Sequence, residues 1–201
     1  MGNAVYTRSY TAPPLDRKAI LRYAGIRGSV PEIEALLDEC LDEVGDKLTY
    51  KVCYREFPLS RCGAQLDLGF MKTASLSLQK NLSGCESIVL FAATVGTLLD
   101  RLIARYAVTS QTKALLLGAI GAERTESLCD AFDREISLEK AAKGYQTRPR
   151  FSPGYGDLPL TVQREIFAVL DCPRKIGLTL TDGLLMSPSK SVTAIIGVES
   201  K

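Results

Sequence analysis

Histidine is absent from the 201-residue chain. Its absence excludes Ser-His-Asp and Cys-His catalytic arrangements, as well as every metal site that depends on an imidazole ligand. No side chain then has an ordinary pKa near neutrality, so general acid–base chemistry would fall to perturbed carboxylates, lysines, tyrosines or cysteines. The composition therefore disfavours a hydrolase.

Paired cysteine motifs are also missing. None of the six cysteines follows the CxxC spacing that is typical of zinc and redox sites. A structural zinc site would need four ligands from distant segments, so we expect no metal site. The spacing favours buried, reduced, non-catalytic thiols at Cys40, Cys53, Cys62, Cys85, Cys129 and Cys172.

Long apolar runs and a strong charge of one sign are missing too. The longest apolar run, "SIVLFAATVG", is too short to cross a bilayer, and the opening residues "MGNAVYTRSYTAPP" lack the apolar segment of a signal peptide. The 25 Lys and Arg residues are scattered among 23 Asp and Glu residues, which gives a net charge of +2. We therefore expect a cytoplasmic protein without a nucleic-acid or membrane partner.

The residues that are present indicate a folded protein. Hydrophobic residues make up 46% of the chain and charged residues 24%, a balance typical of globular proteins. We interpret residues 1–201 as a single domain in which residues 1–14 form an irregular N-terminal arm. Helical and extended patterns mix without a regular βαβ rhythm. This favours an α+β fold with a largely antiparallel twisted sheet and flanking helices.

Apolar periodicity predicts the individual elements. Predicted helices span about 15–25, 29–45, 73–82, 98–106, 110–140 and 159–171, and predicted strands span about 47–57, 66–70, 87–94, 176–181 and 191–198. Ser29 and Glu32 are predicted to form a capping box. The strand at 87–94 is apolar throughout, which is typical of a strand buried on both faces. Gly118 and Gly121 inside the long helix predict close packing against another element.

Charged residues concentrate on the second half of the predicted long helix. They are Glu123, Arg124, Glu126, Asp130, Asp133 and Arg134. Spacings of three and four residues favour a solvated helix face with ion pairs along it. The pattern leaves open that one carboxylate faces a ligand.

The stretch "RPRFSPGYGDLP", residues 148–159, combines arginine, proline, glycine and tyrosine. The pair Pro153-Gly154 predicts a type II turn. One interpretation is a stiff surface turn. The other is a rigid ligand loop, in which Arg150 grips a carboxylate, Gly154 permits close approach and the Tyr155 ring attracts a cation.

This stretch and the downstream segment "IGLTLTDGLLMSPSKSVTA" resemble the activation domain of cobalamin-dependent methionine synthase. Arg150, Gly154 and Tyr155 match the family signature Arg-x-x-x-Gly-Tyr, and residues 186–192 match the pattern Met-x-Pro-x-x-Ser-Val. The resemblance implies the fold of that domain and a site for S-adenosylmethionine, without catalytic side chains or metal ligands. The implied binding residues are Glu126, Arg150, Phe151, Ser152, Pro153, Gly154 and Tyr155.

The resemblance also implies a function, because the task of the family is the repair of oxidised cobalamin. One electron from a donor protein and a methyl group from S-adenosylmethionine restore methylcobalamin, so the domain needs only to position the methyl group and to dock the corrinoid. The implied role is a methyltransferase-type accessory component with S-adenosylmethionine as its cofactor. The implied partners are a cobalamin-binding methionine synthase or corrinoid protein and a flavodoxin- or ferredoxin-like reductant.

Two features of the family are not recognisable in this sequence. The aspartate motif that meets the amino group of the ligand is missing, and so is a cobalamin-binding module. The resemblance therefore implies a stand-alone activation domain with the cobalamin on another chain. Two alternatives stay open: an adaptor that docks on a corrinoid protein without binding S-adenosylmethionine, and an unrelated enzyme of small-molecule metabolism that uses the same cleft.

Overall fold

The structure, a computed structural model, describes residues 4–28 and 30–201. In chain order its strands are β1 (Tyr6–Tyr10), β2 (Tyr50–Pro58), β3 (Ser60–Cys62), β4 (Gln65–Asp67), β5 (Lys72–Thr73), β6 (Ser87–Thr94), β7 (Tyr145–Thr147), β8 (Thr179–Leu180), β9 (Met186–Ser187) and β10 (Ser191–Ser200). Its helices are α1 (Arg17–Tyr23), α2 (Pro31–Val44), α3 (Leu76–Asn81), α4 (Leu98–Thr109), α5 (Gln111–Ala141), α6 (Gln163–Leu170) and α7 (Cys172–Ile176). A short 3-10 helix at Leu160–Val162 precedes α6.

Five strands form the main sheet in the order β1-β2-β6-β10-β7. Every pairing in it is antiparallel. Two smaller antiparallel sheets, β3-β4-β5 and β8-β9, lie outside it. The predicted α+β class with a largely antiparallel sheet is confirmed.

Each face of the main sheet is covered by its own apolar layer. Alternate residues of a strand point to opposite faces. In β6, Val89 and Phe91 enter a cluster shared with α2, α4 and α5, whereas Ile88 and Leu90 enter a cluster shared with α3, α6 and α7. All of β6 is buried, so the prediction of a strand covered on both faces is confirmed.

Helix α5 is the longest, with 31 residues. It begins after Ser110, whose hydroxyl accepts a hydrogen bond from the Lys113 N–H at 3.4 Å, the usual role of a serine at the N-cap. The helix contacts α1, α2, α4 and the main sheet, and its bounds confirm the predicted range of 110–140. No helix in the described part of the chain, α5 included, is long and apolar enough to cross a membrane.

The two glycines inside α5 have different surroundings. A Cβ atom at Gly121 would lie 2.7 Å from Cγ of Lys190, so this glycine lets the lysine stem cross the helix closely. A Cβ atom at Gly118 would meet nothing within 4 Å. The close-packing prediction is therefore confirmed for Gly121 and wrong for Gly118.

We expect Gly118→Ala to raise the free energy of unfolding by about 0.5–1 kcal/mol, because alanine stabilises a helix interior relative to glycine. The matched variant Gly121→Ala has the same gain in helix propensity but must displace Lys190, so its net gain should be smaller or negative. Urea unfolding of both variants beside the wild type measures the difference. A Gly118→Ala protein no more stable than the wild type would contradict the open surroundings of Gly118.

The prediction of an irregular arm over residues 1–14 is wrong for Tyr6–Tyr10. These residues form β1, the edge strand that pairs with β2. The rings of Tyr6 and Tyr54 lie 5.6 Å apart, and the Arg8 guanidinium lies over the Tyr54 ring. Cross-strand contacts of this kind stabilise a short strand. Because they involve tyrosine and arginine side chains, the sequence of β1 lacks the apolar alternation that predicts a strand.

Two further strand predictions are wrong in part. Within 66–70, β4 ends at Asp67 and belongs to the small β3-β4-β5 sheet rather than to the main one. Within 176–181, Ile176 ends α7 and Gly177 has a φ of 70°, so the strand is confined to Thr179–Leu180. A glycine at positive φ after a helix is a common C-terminal cap, and it interrupts the apparent alternation.

The capping box predicted at the start of α2 depends on Ser29, which lies outside the described residues. The helix begins at Pro31 and has Val30 at its N-cap position.

Candidate functional site

The loop that follows β7, residues 148–159, is fixed at its start to β10. The Arg148 N–H donates to the Gly197 carbonyl at 2.9 Å. Phe151 and Ile195 exchange two backbone hydrogen bonds, at 2.8 and 2.9 Å. The loop therefore continues the pairing of β7 along β10 before it turns away.

The loop then makes a tight turn with Pro153 and Gly154 at its centre. The Tyr155 N–H donates to the Ser152 carbonyl at 3.3 Å, and Gly154 has a φ of 90°. A bond from the fourth residue to the first, together with a positive φ at the third, is typical of a type II turn. The predicted turn is confirmed. The Gly154 N–H also donates to the Leu158 carbonyl at 2.9 Å, which stiffens the loop further.

Asp157 fastens the far side of the loop to the start of α3. Its carboxylate accepts hydrogen bonds from the Ser75 hydroxyl at 2.5 Å and from the N–H groups of Leu76 and Ser77 at 2.6 and 3.0 Å. These donors favour the charged form, so the Ser75 bond above all lowers the pKa of Asp157 well below its ordinary value. The loop is thus held at its start, at its turn and at its end.

The Arg150 side chain lies against α5, where it meets three carboxylates. Its Nη1 atom donates to Asp130 at 2.8 Å and to Asp133, and its Nη2 atom donates to Glu126 at 2.6 Å. The arginine side chain is only 23% exposed. Glu126 and Asp130 are solvent-exposed, as the interpretation of a solvated face predicts. Their ion pairs, however, join the helix to the loop through Arg150 and do not run along the helix.

The four charges of this cluster influence one another. Burial raises the pKa of Asp133, and the hydrogen bond from Arg150 only partly offsets it. Burial alone would lower the pKa of Arg150, but its bonds to Asp130 and Asp133 raise it above the ordinary value. A guanidinium has five N–H donors. The three contacts above leave the Nε–H and one Nη2–H of Arg150 for a further acceptor.

A cleft of about 430 Å³ opens beside the turn, a size within the usual range for small-molecule sites. Six of the seven predicted binding residues line it: Glu126, Arg150, Phe151, Ser152, Pro153 and Tyr155. The seventh, Gly154, forms the turn between two of them. The Tyr155 side chain is accessible to a ligand, because the residue is 69% exposed.

The second sequence motif lines the same cleft through Met186, Ser191 and Val192. The hairpin of β8 and β9 and the start of β10 carry these residues. The Ser191 hydroxyl serves the fold itself, since it bonds to Thr94 Oγ1 and to the Pro188 carbonyl, both at 2.8 Å. Although α6 and α7 separate the two motifs in the sequence, the fold brings them into one site.

Comparison with known proteins decides the family. Residues 78–201, more than half of the chain, match the family described as "Vitamin B12 dependent methionine synthase, activation domain". The chain belongs to this family. The matched range includes both cleft motifs.

The activation-domain assignment agrees with the fold comparison. A crystal structure of the MetH reactivation domain bound to AdoHcy superposes with a TM-score of 0.68, covering 96% of this chain and 78% of that one. The two sequences are 16% identical, so this likeness shows a shared fold. No curated protein matches the sequence significantly.

Two cleft residues of this activation domain were not predicted. Gln163 and Thr193 line the cleft, and their Oε1 and Oγ1 atoms are buried without a hydrogen-bond partner among the described residues. Gln163 belongs to neither motif, and Thr193 directly follows the Met-x-Pro-x-x-Ser-Val pattern. A single neutral polar residue at a helix start or within a strand gives no local signal in the sequence.

A smaller cavity of about 250 Å³ adjoins the cleft and shares Glu126, Ser191 and Val192 with it. Tyr23 and Lys190 line its other side. The accessible region beside α5 therefore extends beyond the cleft that the two sequence motifs line.

Glu123 and Arg124 of α5 form a buried ion pair, with side chains 2% and 5% exposed. The Arg124 Nη2 atom donates to Glu123 at 2.6 Å. Its Nη1 and Nη2 atoms also donate to the carbonyls of Pro13 and Pro14, at 2.7 and 2.8 Å. The prediction of a solvated face is wrong for this pair, which fastens the segment before α1 to α5.

None of the six cysteines is part of a disulfide in the structure; four are buried, whereas Cys62 is exposed and Cys85 is half-buried. The prediction of buried thiols is therefore wrong for Cys62. The Sγ atoms of Cys53 and Cys172 lie 3.9 Å apart, a proximity that their sequence positions do not reveal. Their reduced, non-catalytic state stays a prediction. Among residues 4–28 and 30–201, no group of side chains has the arrangement of a metal site.

Proposed function

We propose that the cleft binds S-adenosylmethionine and that the protein supports the reductive methylation of cobalamin carried by a separate methionine synthase or corrinoid methyltransferase chain. Family membership supports a role in methionine synthase reactivation. The observation that carries the proposal is the meeting of both motifs in one cleft of about 430 Å³. The MetH reactivation domain of the same fold is bound to AdoHcy, which lacks only the transferable methyl group of S-adenosylmethionine.

The side chains of the cleft suit a sulfonium amino acid. A ligand carboxylate can accept hydrogen bonds from the Nε–H and the remaining Nη2–H of Arg150, which gives a bidentate contact. Glu126 is half-exposed and offers oxygens to an ammonium or hydroxyl group of the ligand. The accessible ring of Tyr155 can attract a positive centre such as the sulfonium.

The proposed role requires the protein to position the ligand and does not require it to transfer a proton. S-adenosylmethionine, when bound, supplies the methyl group, and a reductant supplies one electron. The stiff loop over residues 148–159 would hold the ligand in a fixed pose, which lowers the entropic cost of the transfer. A chain without histidine can act as such a methyltransferase-type accessory component.

The partners and the compartment are part of the same proposal. We expect a cobalamin-binding methionine synthase or corrinoid protein, a flavodoxin- or ferredoxin-like reductant, and a location in the cytoplasm. Cobalamin itself is assigned to the partner chain.

An adaptor that docks on a corrinoid protein without binding S-adenosylmethionine is the second candidate. The engagement of Arg150 by three carboxylates favours it, because fewer donors remain for a ligand. This candidate predicts that S-adenosylmethionine leaves the stability of the protein unchanged.

Thermal unfolding with Tyr155→Ala tests the proposal. S-adenosylmethionine at about 100 times its Kd should stabilise the wild type by about 2.7 kcal/mol, or roughly 5–10 °C in Tm. Tyr155→Ala should lose most of this shift because the ring that faces the ligand is gone. Tyr6→Ala removes an exposed tyrosine of β1, outside the cleft, and should keep the shift.

Equal shifts in the two tyrosine variants would place the ligand elsewhere on the protein. No shift in the wild type would favour the adaptor.

A further inference from the structure

The hydrogen-bond donors of Arg150 are divided unevenly among its terminal nitrogens. Nη1 donates to Asp130 at 2.8 Å and to Asp133, so both of its hydrogens are used. Nη2 donates to Glu126 at 2.6 Å and has a second hydrogen. Among the described residues, this hydrogen and the Nε–H have no acceptor. An Nε–H and an Nη2–H can point in parallel from one edge of the planar guanidinium, which matches the two oxygens of a carboxylate.

The two aspartates that occupy Nη1 lie behind the cleft. Glu126 and Arg150 line the cleft of about 430 Å³, whereas Asp130 and Asp133 do not. Their contacts with Arg150 are made on the side of α5. The aspartates can therefore affect a bound ligand through the arginine, but they do not touch it themselves.

The side chain of Arg150 is fixed at both of its ends. The three carboxylates follow one another at spacings of four and three residues, which places them on one face of α5. Leu128, Cys129 and Phe132 of the same segment are completely buried, and their packing fixes the helix. At the other end, the residue after Arg150, Phe151, pairs through its backbone with Ile195 of β10. The orientation of the guanidinium is thus set by two rigid elements.

Three carboxylates around one guanidinium exceed what a stabilising ion pair requires. Three negative charges and one positive charge leave an excess of two negative charges, and like charges at these spacings repel one another. Burial also raises the pKa of Asp133, which means that the charged form of this aspartate is disfavoured at its position. An arrangement that is unfavourable in itself but fixes a binding group is typical of a functional site.

We propose that Asp130 and Asp133 are positioning residues for ligand binding, which hold Nη1 and thereby turn the edge with Nε and Nη2 towards the carboxylate of the ligand. Without them, Arg150 keeps its charge and its contact with Glu126 but loses its fixed orientation. One of the two parallel hydrogen bonds to the ligand carboxylate is then lost. This inference rests on the proposed function, because it takes the ligand to be an S-adenosyl amino acid.

The test compares two probes, S-adenosylhomocysteine and 5′-methylthioadenosine, which share the nucleoside and the thioether but differ in the amino-acid end. The double variant Asp130→Asn with Asp133→Asn keeps the side-chain shapes and removes both charges. Isothermal titration should give a Kd for S-adenosylhomocysteine about tenfold higher than that of the wild type, the size expected for one lost charge-assisted hydrogen bond. The Kd for 5′-methylthioadenosine should change by less than about twofold, since this probe has no carboxylate.

The same two substitutions in an Arg150→Met background test whether the aspartates act through this arginine. In that background they should change the Kd for S-adenosylhomocysteine by less than about twofold, because the group that they orient is gone.

Glu139→Gln is the matched control. Glu139 is another exposed carboxylate of α5 that pairs with an arginine, Arg8, at 2.7 Å, and it does not line the cleft. Its loss should leave both affinities unchanged. Melting curves show whether each variant remains folded. The single variant Asp133→Asn, for which a weaker effect in the same direction is expected, replaces the double variant if the double variant does not fold.

Three results would overturn the inference. The first is a Kd for S-adenosylhomocysteine that stays the same or falls in the double variant, since a fall would show that the aspartates compete with the ligand for Arg150. The second is an equal loss of affinity for both probes, and the third is an equal loss in the Arg150→Met background. Each of these leaves the proposed function standing. A wild type that binds neither probe would instead overturn the proposed function, and this inference with it.

Discussion

Replacing Arg124 with methionine is expected to lower the free energy of unfolding by about 3–5 kcal/mol. Methionine retains an apolar stem of similar length but removes the bonds to Glu123 and to the carbonyls of Pro13 and Pro14. Glu123 would then stay buried as a charge without its cation. The segment before α1 would lose two of its hydrogen bonds to α5 and keep the one that the Asp16 N–H donates to Glu123. Urea unfolding followed by circular dichroism measures the loss.

Arg17→Met is the matched control for this change. Arg17 pairs with Glu34 at 2.9 Å and with Asp38 at 2.6 Å, but it is 40% exposed. Exposed ion pairs contribute little, so its loss should stay within about 1 kcal/mol. The double variant Glu123→Gln with Arg124→Met should recover part of the stability, because no buried charge is then left unpaired. If Arg124→Met lowered the free energy of unfolding no more than Arg17→Met does, the buried pair of Glu123 and Arg124 would not stabilise the fold.

Arg150→Met is expected to lower the free energy of unfolding by about 2–3 kcal/mol and to weaken S-adenosylmethionine binding by more than about tenfold. The substitution leaves Glu126, Asp130 and Asp133 facing one another on α5 without their shared cation. Glu126 and Asp130 are well exposed, so water offsets part of the repulsion, and the loss of unfolding free energy is expected to be smaller than that in Arg124→Met. The loop would also lose its contact with α5, which sets one wall of the cleft. Urea unfolding and isothermal titration measure the two effects.

Two further variants isolate the role of Arg150. Arg150→Lys keeps the charge but replaces the planar fork by a single ammonium, so its stability loss should be about half as large. Arg174→Met removes an arginine that is 87% exposed and has one pair, with Asp171 at 3.6 Å, and should change stability by less than about 0.5 kcal/mol. If Arg150→Met kept the stability and the affinity of the wild type, Arg150 would contribute neither to the acidic cluster on α5 nor to the ligand site.

Local patterns were sufficient for much of the fold. The Pro153-Gly154 pair predicts the type II turn because proline and glycine each restrict or permit particular backbone angles. The unbroken apolar run from 87 to 94 predicts a strand covered on both faces, as found in β6. The predicted loop residues lie together because one motif contains them, whereas Glu126 joins them through its contact with Arg150.

Features that depend on contacts between distant segments could not be predicted in this way. Strand β1 exists because Tyr6 and Arg8 contact Tyr54, and these contacts are not visible in five residues. The acidic spacing along α5 looks like a solvated face until Arg150 is placed across it from another element. Gln163 contributes to the cleft through the packing of α6 against β2, β6 and β8.

Isothermal titration of the wild-type chain with S-adenosylmethionine decides whether the cleft is a ligand site. If it is, the titration gives a saturable heat with one ligand per chain, and S-adenosylhomocysteine competes for the same site. If a chain that unfolds cooperatively, and is therefore folded, gives no heat with millimolar S-adenosylmethionine, the cleft does not bind this ligand.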